Sequence, residues 1–296
     1  MNVTDVITKL RTSAGTSWKD PSWDGLQSGS MDAVVTGIAV TWAPSLVVLK
    51  DAVARGCNTI VCKAPVYWFD PQDRPSDPDS MYLRLPEGSM GIGKMDAIEK
   101  SAAYRAKKDF IASNNLNIYR ISENWDGGQQ LPTVGLLNVL GWKQTDSFVA
   151  DERFPNTHTA IVSIPSQDLI QVAEHAKKSV ASKSARLLGD PSAKVAKVAV
   201  HPGFMTVFAA TRIGKTPGLD MILTGEANEW EAFVYSEDWI TAGHGKGLLL
   251  LGLAATSDAG AKEVANWVRK EAALVKVEFF AVGDPLNPAR GGTIRV

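Results

Sequence analysis

The chain is poor in the side chains that bind metals or form disulfides. Its 296 residues include only four histidines and two cysteines, and they form no His-x-x-x-His, His-Glu-x-x-His or Cys-x-x-Cys arrangement. A conventional zinc site is therefore not expected. Cys57 and Cys62 lie around one short predicted strand, and the ends of such a strand are too far apart for a disulfide. We therefore expect both thiols to be reduced, which suits the cytoplasm.

An excess of one charge and long apolar runs are also missing. The formal net charge is -1 and no basic stripe is present, so nucleic-acid binding has no electrostatic basis here. No segment approaches the roughly 18 apolar residues of a membrane span. The first residues show no basic region followed by an apolar run, so no signal peptide is visible. We expect a cytoplasmic protein with neither a membrane nor a nucleic acid as partner.

Helix-like and strand-like segments alternate along the chain, which predicts an α/β fold with mixed, mostly parallel sheets. We expect two interlinked lobes, at residues 1–145 and 146–296, with a cleft between them. An irregular insertion at 70–94 interrupts the first lobe. The predicted helices are 3–13, 45–55, 97–114, 131–140, 166–188 and 258–271, and the predicted strands are 34–41, 59–62, 116–121, 148–154, 158–164, 194–200, 221–224, 248–251 and 275–282.

Polar or glycine-rich turns follow five predicted strands. The turns are 62–63, 122–126, 201–203, 224–226 and 252–253. Ligands of α/β proteins bind at the carboxyl ends of strands, so these turns predict a shared binding cleft. Each turn alone is equally typical of an ordinary strand-to-helix connection, because glycine, aspartate and threonine are good turn and cap residues.

Three charged side chains in these turns are candidates for catalysis. Lys63 follows a short apolar strand, and a buried lysine can serve as a base or form a Schiff base. Glu123 and Asp126 are candidates for an acid and a base, or for binding a divalent cation. A salt bridge between Lys63 and one of these carboxylates is the alternative interpretation.

Candidates for substrate binding come from the same turns. Trp42, Trp68 and Trp125 each lie near a predicted strand end, which suits a flat aromatic or apolar ligand, although tryptophan is more often a core residue. His201 and Glu226 stand at or after two other strand ends and complete the predicted set.

Several motifs in order resemble the Ngg-interacting-factor-three-like family, also described as GTP-cyclohydrolase-type-two-like dinuclear-metal proteins. These motifs are Gly37-Ile-Ala-Val-Thr, the segment 52–56, Ile60-Val-Cys-Lys-Ala-Pro, Asp220-Met-Ile-Leu-Thr-Gly-Glu and Gly283-Asp-Pro. The resemblance spans nearly the whole chain. It implies two interlinked α/β lobes, a cleft with two divalent metals and a homo-oligomer, often a toroidal hexamer. Nucleotide hydrolysis and metal handling are both proposed roles of such proteins.

The metal ligands that the resemblance implies do not carry over. The family pattern before the proline is Thr-His-His-Pro or Thr-His-Glu-Pro, whereas Lys63 and Ala64 stand there in this chain. The last family motif falls either on Gly243-His244 or, in the register we prefer, on Gly252-Leu253. Glu123 and Asp126 then remain as surviving ligands. Two carboxylates do not hold a dinuclear site, since each metal takes about four to six donors.

Three functions stay open at this point. The first is a metal-independent hydrolase or lyase acting on a small cyclic or aromatic molecule in the cleft, with Lys63 replacing the metal charge and Glu123 or Asp126 as acid or base. The second is a non-catalytic oligomeric binding or scaffold protein. The third is a single-metal hydrolase using Asp126, Glu123 and either His201 or His244. No cofactor is expected, although a weakly held divalent metal stays open.

Overall fold

A computed structural model describes residues 1–20, 22, 24–68, 98–152, 157–284 and 286. The predicted insertion at 70–94 lies outside the described residues. The chain divides into two compact units, one of Met1–Asn124 with Val268–Phe280 and one of Trp125–Trp267 with Ala281–Val296. The expected boundary at 145/146 falls inside the second of these units. No helix within the described residues is both long and apolar enough to cross a membrane.

The strands, in chain order, are β1 Gly25–Ser28, β2 Ile38–Thr41, β3 Thr59–Cys62, β4 Asn117–Arg120, β5 Gln144–Val149, β6 His158–Asp168, β7 Arg186–Leu188, β8 Lys194–Met205, β9 Met221–Ala227, β10 Gly247–Leu250 and β11 Val277–Phe279. The α-helices are α1 Val3–Ala14, α2 Leu46–Ala54, α3 Ala102–Ser113, α4 Leu131–Leu140, α5 Leu169–Ser179, α6 Val207–Gly214, α7 Val234–Thr241 and α8 Leu253–Glu271, with a 3₁₀ turn at Gly15–Ser17 and a π-helical turn at Glu229–Phe233.

The sheet of the first unit has the order β1-β4-β3-β2-β11. Neighbours pair in parallel except β1, which runs antiparallel to β4. Every residue of β2, β3 and β4 is buried, as expected for parallel strands covered on both faces. Because these three strands run the same way, their carboxyl ends share one edge of the sheet. That edge is where the residues after Thr41, Cys62 and Arg120 lie.

Serine caps start the two helices that return the chain to this sheet. The Ser45 hydroxyl accepts a hydrogen bond from the Val48 backbone N–H (3.3 Å), and the Ser101 hydroxyl accepts one from the Tyr104 N–H (3.2 Å). Such caps satisfy backbone donors that have no partner within the helix. They fix where α2 begins before β3 and where α3 begins before β4.

The sheet of the second unit is mixed, with the order β5-β6-β8-β9-β10-β7. The pairs β8–β9 and β9–β10 are parallel, and the remaining pairs are antiparallel. Consecutive residues of the central strands face opposite sides, so the sheet contributes to two hydrophobic cores. Val198 and Leu223 belong to one core, whereas Ala199 and Ile222 belong to the other. The predicted α/β class with two sheets is confirmed.

Three sequence predictions about elements of the second unit are wrong. The helix predicted at 166–188 spans only Leu169–Ser179, because Gln167 and Asp168 belong to β6 and pair with β8, and Arg186–Leu188 form β7. The helix begins after Asp168, whose backbone N–H is capped by the Gln171 side chain (3.1 Å). Likewise, His201 and the segment 224–226 lie inside β8 and β9 rather than after their ends. The pairing continues through an irregularity between His201 and Phe204, which sequence periodicity does not reveal.

Candidate functional site

The turn after β3 lies at the carboxyl edge of the first sheet and is held by several hydrogen bonds. Cys62 pairs with Thr41 of β2 and with Arg120 of β4, so the residues after these three strands lie side by side. The Trp42 carbonyl accepts hydrogen bonds from the backbone N–H groups of Lys63 (3.2 Å) and Ala64 (2.9 Å). The turn that carries half-buried Lys63 is thereby fixed to the neighbouring strand.

Two buried basic side chains also hold this turn. The Arg120 Nε donates to the Lys63 carbonyl at 3.0 Å, and the Lys107 Nζ donates to the Val66 carbonyl. Arg120 is 7% exposed and Lys107 is 3% exposed. Hydrogen bonds from charged donors are stronger than those from neutral ones. The carbonyls of the turn are thus oriented by cations that reach it from β4 and α3.

Burial shifts the pKa values of two groups next to this turn, the Lys107 amine and the Cys62 thiol. Desolvation lowers the pKa of Lys107 to about 8, with the nearby Cys62 opposing this shift. The Cys62 thiol is fully buried, and desolvation raises its pKa to about 12, although the charges of Arg120 and Lys107 act against this rise. At neutral pH the thiol therefore keeps its proton, and it does not provide Lys107 with a negative partner.

Aromatic rings surround the Lys107 amine. Its Nζ lies 6.0 Å from the ring centroid of Tyr67 and 5.4 Å from that of Trp68. Trp68 is 56% exposed and has φ of 69°, a left-handed conformation that a bulky side chain rarely adopts. Trp42, by contrast, is half-buried. Two of the three predicted tryptophans therefore belong to the first unit, and one of them stands over an amine.

Asp24 organises the turn that follows β4. Its carboxylate accepts the backbone N–H groups of Ser122 (2.5 Å) and Glu123 (3.1 Å) and the side-chain amide of Asn124 (2.6 Å). Burial raises the pKa of Asp24, the donated hydrogen bonds lower it, and the charge of Glu123 raises it further. The backbone of predicted residue Glu123 is therefore positioned by an acidic residue that sequence patterns did not single out.

Trp125 and Asp126 belong to the second unit, and both are buried. Trp125 is 2% exposed, so its ring packs in the interior. The Asp126 carboxylate accepts the backbone N–H of Gly128 at 3.1 Å, which is a local turn contact. The predicted roles of both residues stay predictions.

His201 uses both ring nitrogens in contacts inside the second unit. Its Nε2 lies 3.2 Å from the Phe204 carbonyl, and its Nδ1 lies 2.8 Å from the Thr159 hydroxyl. A carbonyl only accepts, so Nε2 carries the proton and Nδ1 accepts from Thr159. The imidazole lines a small cavity together with Asp151, whose carboxylate accepts a hydrogen bond from the Thr206 hydroxyl at 2.6 Å.

The Thr224-Gly225-Glu226 segment is held by close packing. The Thr224 hydroxyl donates to the Gly203 carbonyl at 3.2 Å, and Thr256, fully buried, accepts the Gly203 N–H at 3.3 Å. A Cβ added at Gly225 would meet the Thr256 hydroxyl oxygen at 2.3 Å. Only glycine fits at this position. The Glu226 side chain, predicted to bind substrate, is exposed.

The two metals that the family resemblance implies do not fit these side chains. Across the described ranges, no group of three or more His, Cys, Asp or Glu residues is placed to hold a metal ion. Lys63 and Ala64 supply no metal-binding donor in the turn after β3. Both nitrogens of His201 are engaged with Thr159 and Phe204, and His244 is exposed.

Comparison with known proteins identifies the family. The family model described as Duf34/NIF3 (NGG1p interacting factor 3) matches residues 91–283, which is more than half of the chain. The chain belongs to the Duf34/NIF3 family, as its motifs predict.

One sequence relative and two solved structures are similar to the chain, and the solved structures share its fold. A curated Clostridium acetobutylicum protein named GTP cyclohydrolase 1 type 2 homolog is 24% identical over 227 residues, covering 74% of this chain and 75% of that protein. The crystal structure of Staphylococcus aureus protein SA1388 matches with a TM-score of 0.69 at 17% identity, covering 97% of this chain and 99% of that one. A Bacillus cereus protein related to NIF3 matches with a TM-score of 0.67 at 16% identity, covering 97% and 98%.

Sequence patterns predicted some of the residues at the carboxyl edge of the first sheet, but they did not predict its buried basic residues. Trp42, Lys63 and Glu123 do follow neighbouring parallel strands. Lys107 was missed, although a signal exists: it shares the buried side of α3 with Ile111, four residues further on. A lysine in the apolar stripe of a helix is a candidate for a buried amine.

Proposed function

We propose that the chain is a metal-independent hydrolase or lyase acting on a small cyclic or aromatic molecule, with Lys63 as an electrostatic stabiliser. One observation carries the proposal: Lys63 belongs to a turn whose backbone is fixed by Trp42, Arg120 and Lys107. Donors that are oriented before the reaction stabilise developing negative charge without reorganisation, which is the main requirement for such catalysis.

Glu123 is the acid or base in this proposal, and Asp126 is the alternative. Glu123 follows β4, the strand next to the one that delivers Lys63, and Asp24 fixes its backbone. A carboxylate there would take a proton from water, and the ammonium of Lys63 would stabilise the oxyanion that the water creates. Trp42 and Trp68 would contact a flat ring, and His201, Trp125 and Glu226 remain proposed substrate contacts.

The name of the curated relative supplies the first probe. A cyclohydrolase opens a ring by hydrolysis, and the name of that relative refers to GTP. We therefore choose GTP, together with a panel of purines, pteridines and simple aromatic compounds. A metal-free mechanism predicts that turnover survives exhaustive removal of divalent ions.

The test uses protein dialysed against EDTA, with residual metal measured by mass spectrometry and products separated by chromatography. We expect turnover without added metal and a loss of about 100-fold or more in Lys63→Ala. Lys63→Arg should retain part of the rate because the positive charge stays. Lys50→Ala, an exposed lysine of α2, is the matched control and should leave the rate unchanged.

Three results would overturn the proposal. A rate that appears only with added divalent metal supports the single-metal alternative. An unchanged rate in Lys63→Ala removes Lys63 from the chemistry. Binding of a panel compound without turnover supports the non-catalytic binding or scaffold alternative. We also propose a homo-oligomer, which light scattering after size-exclusion chromatography measures directly.

A further inference from the structure

Lys107 is a buried amine whose described contacts include no carboxylate. Its Nζ donates to the Val66 carbonyl and lies near the rings of Tyr67 and Trp68. Charged lysines are almost never fully buried unless they are paired, because burial without a counter-ion disfavours the ammonium. Among the described residues Lys107 departs from that pattern, and its burial makes the neutral amine more accessible than in an ordinary lysine.

The neutral amine is the reactive form of a lysine. With a pKa of about 8, Lys107 is neutral in roughly a tenth of the molecules at pH 7. An ordinary exposed lysine is neutral in fewer than about one molecule in a thousand at that pH. Desolvation in an apolar environment is one way in which proteins activate lysines toward carbonyl compounds.

The rings around Lys107 form an aromatic wall next to solvent. Tyr67 and Tyr104 lie with ring centroids 4.5 Å apart, and the Trp68 ring stands over the amine while more than half of its residue surface stays exposed. The positive φ of Trp68 is a conformation that the surrounding structure must impose. Trp68 is therefore a solvent-exposed ring that stands over the amine.

We propose that Lys107 is an imine-forming site for an aldehyde or ketone carried on a flat aromatic or apolar compound. The lone pair of the neutral Nζ attacks the carbonyl carbon and forms the new C–N bond. The carbonyl oxygen leaves as water and takes with it the two hydrogens of the amine. The step is a condensation without any redox change, and water reverses it.

This inference goes beyond the function proposed for Lys63 and stands if Lys63 proves inert. Lys107 reaches the turn after β3 from α3, whereas Lys63 belongs to the turn itself. The aromatic contacts of Lys107 select a ring-bearing carbonyl compound, because a flat ring stacks on Trp68 or Tyr67. The imine nitrogen then replaces the ammonium at a place where a charge is disfavoured.

The experiment treats the folded protein with benzaldehyde and sodium cyanoborohydride, which reduces an imine to a stable benzylamine. Labelling is followed from pH 6 to pH 10, and tandem mass spectrometry assigns each adduct to a lysine. Lys108, the exposed neighbour on the same helix, is the internal control. We expect Lys107 to be labelled at least about tenfold faster than Lys108 at pH 7, with half-maximal labelling near pH 8.

Labelling of Lys107 no faster than Lys108 would overturn the proposal, as would an adduct at Lys107 that forms only in urea-unfolded protein. Lys107→Arg should abolish the fast adduct, and Lys108→Arg should leave it. The comparison of two lysines in the unaltered protein stands even if Lys107→Arg fails to fold. Lys63→Ala should retain the fast adduct, so failure of the function proposed for Lys63 is separate from failure of this site.

Discussion

Two family motifs of this chain, which we call the first and the second landmark, are stabilised by different interactions. The turn after β3 is held by cations, because Arg120 and Lys107 donate to its carbonyls from buried positions. The Thr224-Gly225-Glu226 segment is held by neutral hydroxyls and by the absence of a side chain at Gly225. The stability of the turn after β3 therefore depends on pH, whereas the stability of the Thr224-Gly225-Glu226 segment depends on the side-chain volume at position 225. The first landmark therefore depends on electrostatics, and the second depends on packing.

The largest expected effect is steric and concerns the second landmark. Gly225→Ala places a Cβ 2.3 Å from the Thr256 hydroxyl oxygen and 2.6 Å from the Gly203 carbonyl oxygen. Because one of these atoms is backbone, the strands must shift, and we expect a loss of about 3 kcal/mol or more in the free energy of unfolding. Urea denaturation measures it.

Gly25→Ala is the matched control, since no atom lies within 4 Å of the added Cβ and Gly25 has no positive φ. It should change stability by less than about 1 kcal/mol. Equal stability of the two variants would show that the segment tolerates a side chain, and the contrast with the first landmark would disappear.

The next effect is electrostatic and concerns the first landmark. Burial lowers the pKa of Lys107 from 10.5 to about 8, so between these pH values the unfolded chain binds more protons than the folded one. Stability contributed by this residue therefore rises as the pH increases from about 8 to about 10.5, by on the order of 3 kcal/mol. Below pH 8 the buried charge lowers stability by a constant amount.

Urea titrations of the unaltered protein and of Lys107→Met, at several pH values, isolate this effect. The unaltered protein should gain stability relative to Lys107→Met across that window, because methionine does not titrate. Lys108→Met changes an exposed site, so the difference in the free energy of unfolding between the unaltered protein and this variant should not depend on pH. If the difference for Lys107→Met were also independent of pH, the pKa of Lys107 would not be lowered by burial.

The smallest expected effect tests the neutral contacts of the second unit. Thr159→Val removes the hydroxyl that donates to His201 Nδ1 inside the protein. Losing a donor to a buried nitrogen should cost about 1–2 kcal/mol, measured by thermal or urea unfolding. Thr145→Val on the neighbouring strand β5 removes a hydroxyl of an exposed residue that donates to the Ile161 carbonyl at 3.1 Å, and it should cost about 0.5 kcal/mol. A cost for Thr159→Val no larger than that of Thr145→Val would make the His201 contact energetically unimportant.

Local patterns predicted those features that local chemistry decides. The strand predicted at 59–62 and the helix predicted at 45–55 depend on residues close in sequence, and the structure contains them as β3 and α2. The helix predicted at 166–188 was too long at both ends, because Gln167 and Asp168 pair with β8 and Arg186–Leu188 pair with β10, strands that lie more than twenty residues further along the chain. Tertiary pairing overrides a helical period wherever a sheet edge needs a partner.

The candidate site was also predicted only where neighbouring residues in the sequence decide the structure. Lys63 was visible because it follows a strand and replaces a ligand of the family motif. Asp24 and Arg120 were not visible, since neither stands in a recognisable motif and both act on turns that follow other strands. Contacts such as Arg120 with the Lys63 carbonyl join residues 57 positions apart.

The sequence by itself determined the α/β class, the family and the loss of metal-binding side chains from the turn after β3. These follow from residue identity and short-range order, which a single chain displays in full. Only the tertiary structure decided that the turn is held by buried cations and that Lys107 is an amine without a carboxylate among its described contacts. Burial and counter-ion distance set the charge state of a lysine, and neither quantity exists before the chain is folded.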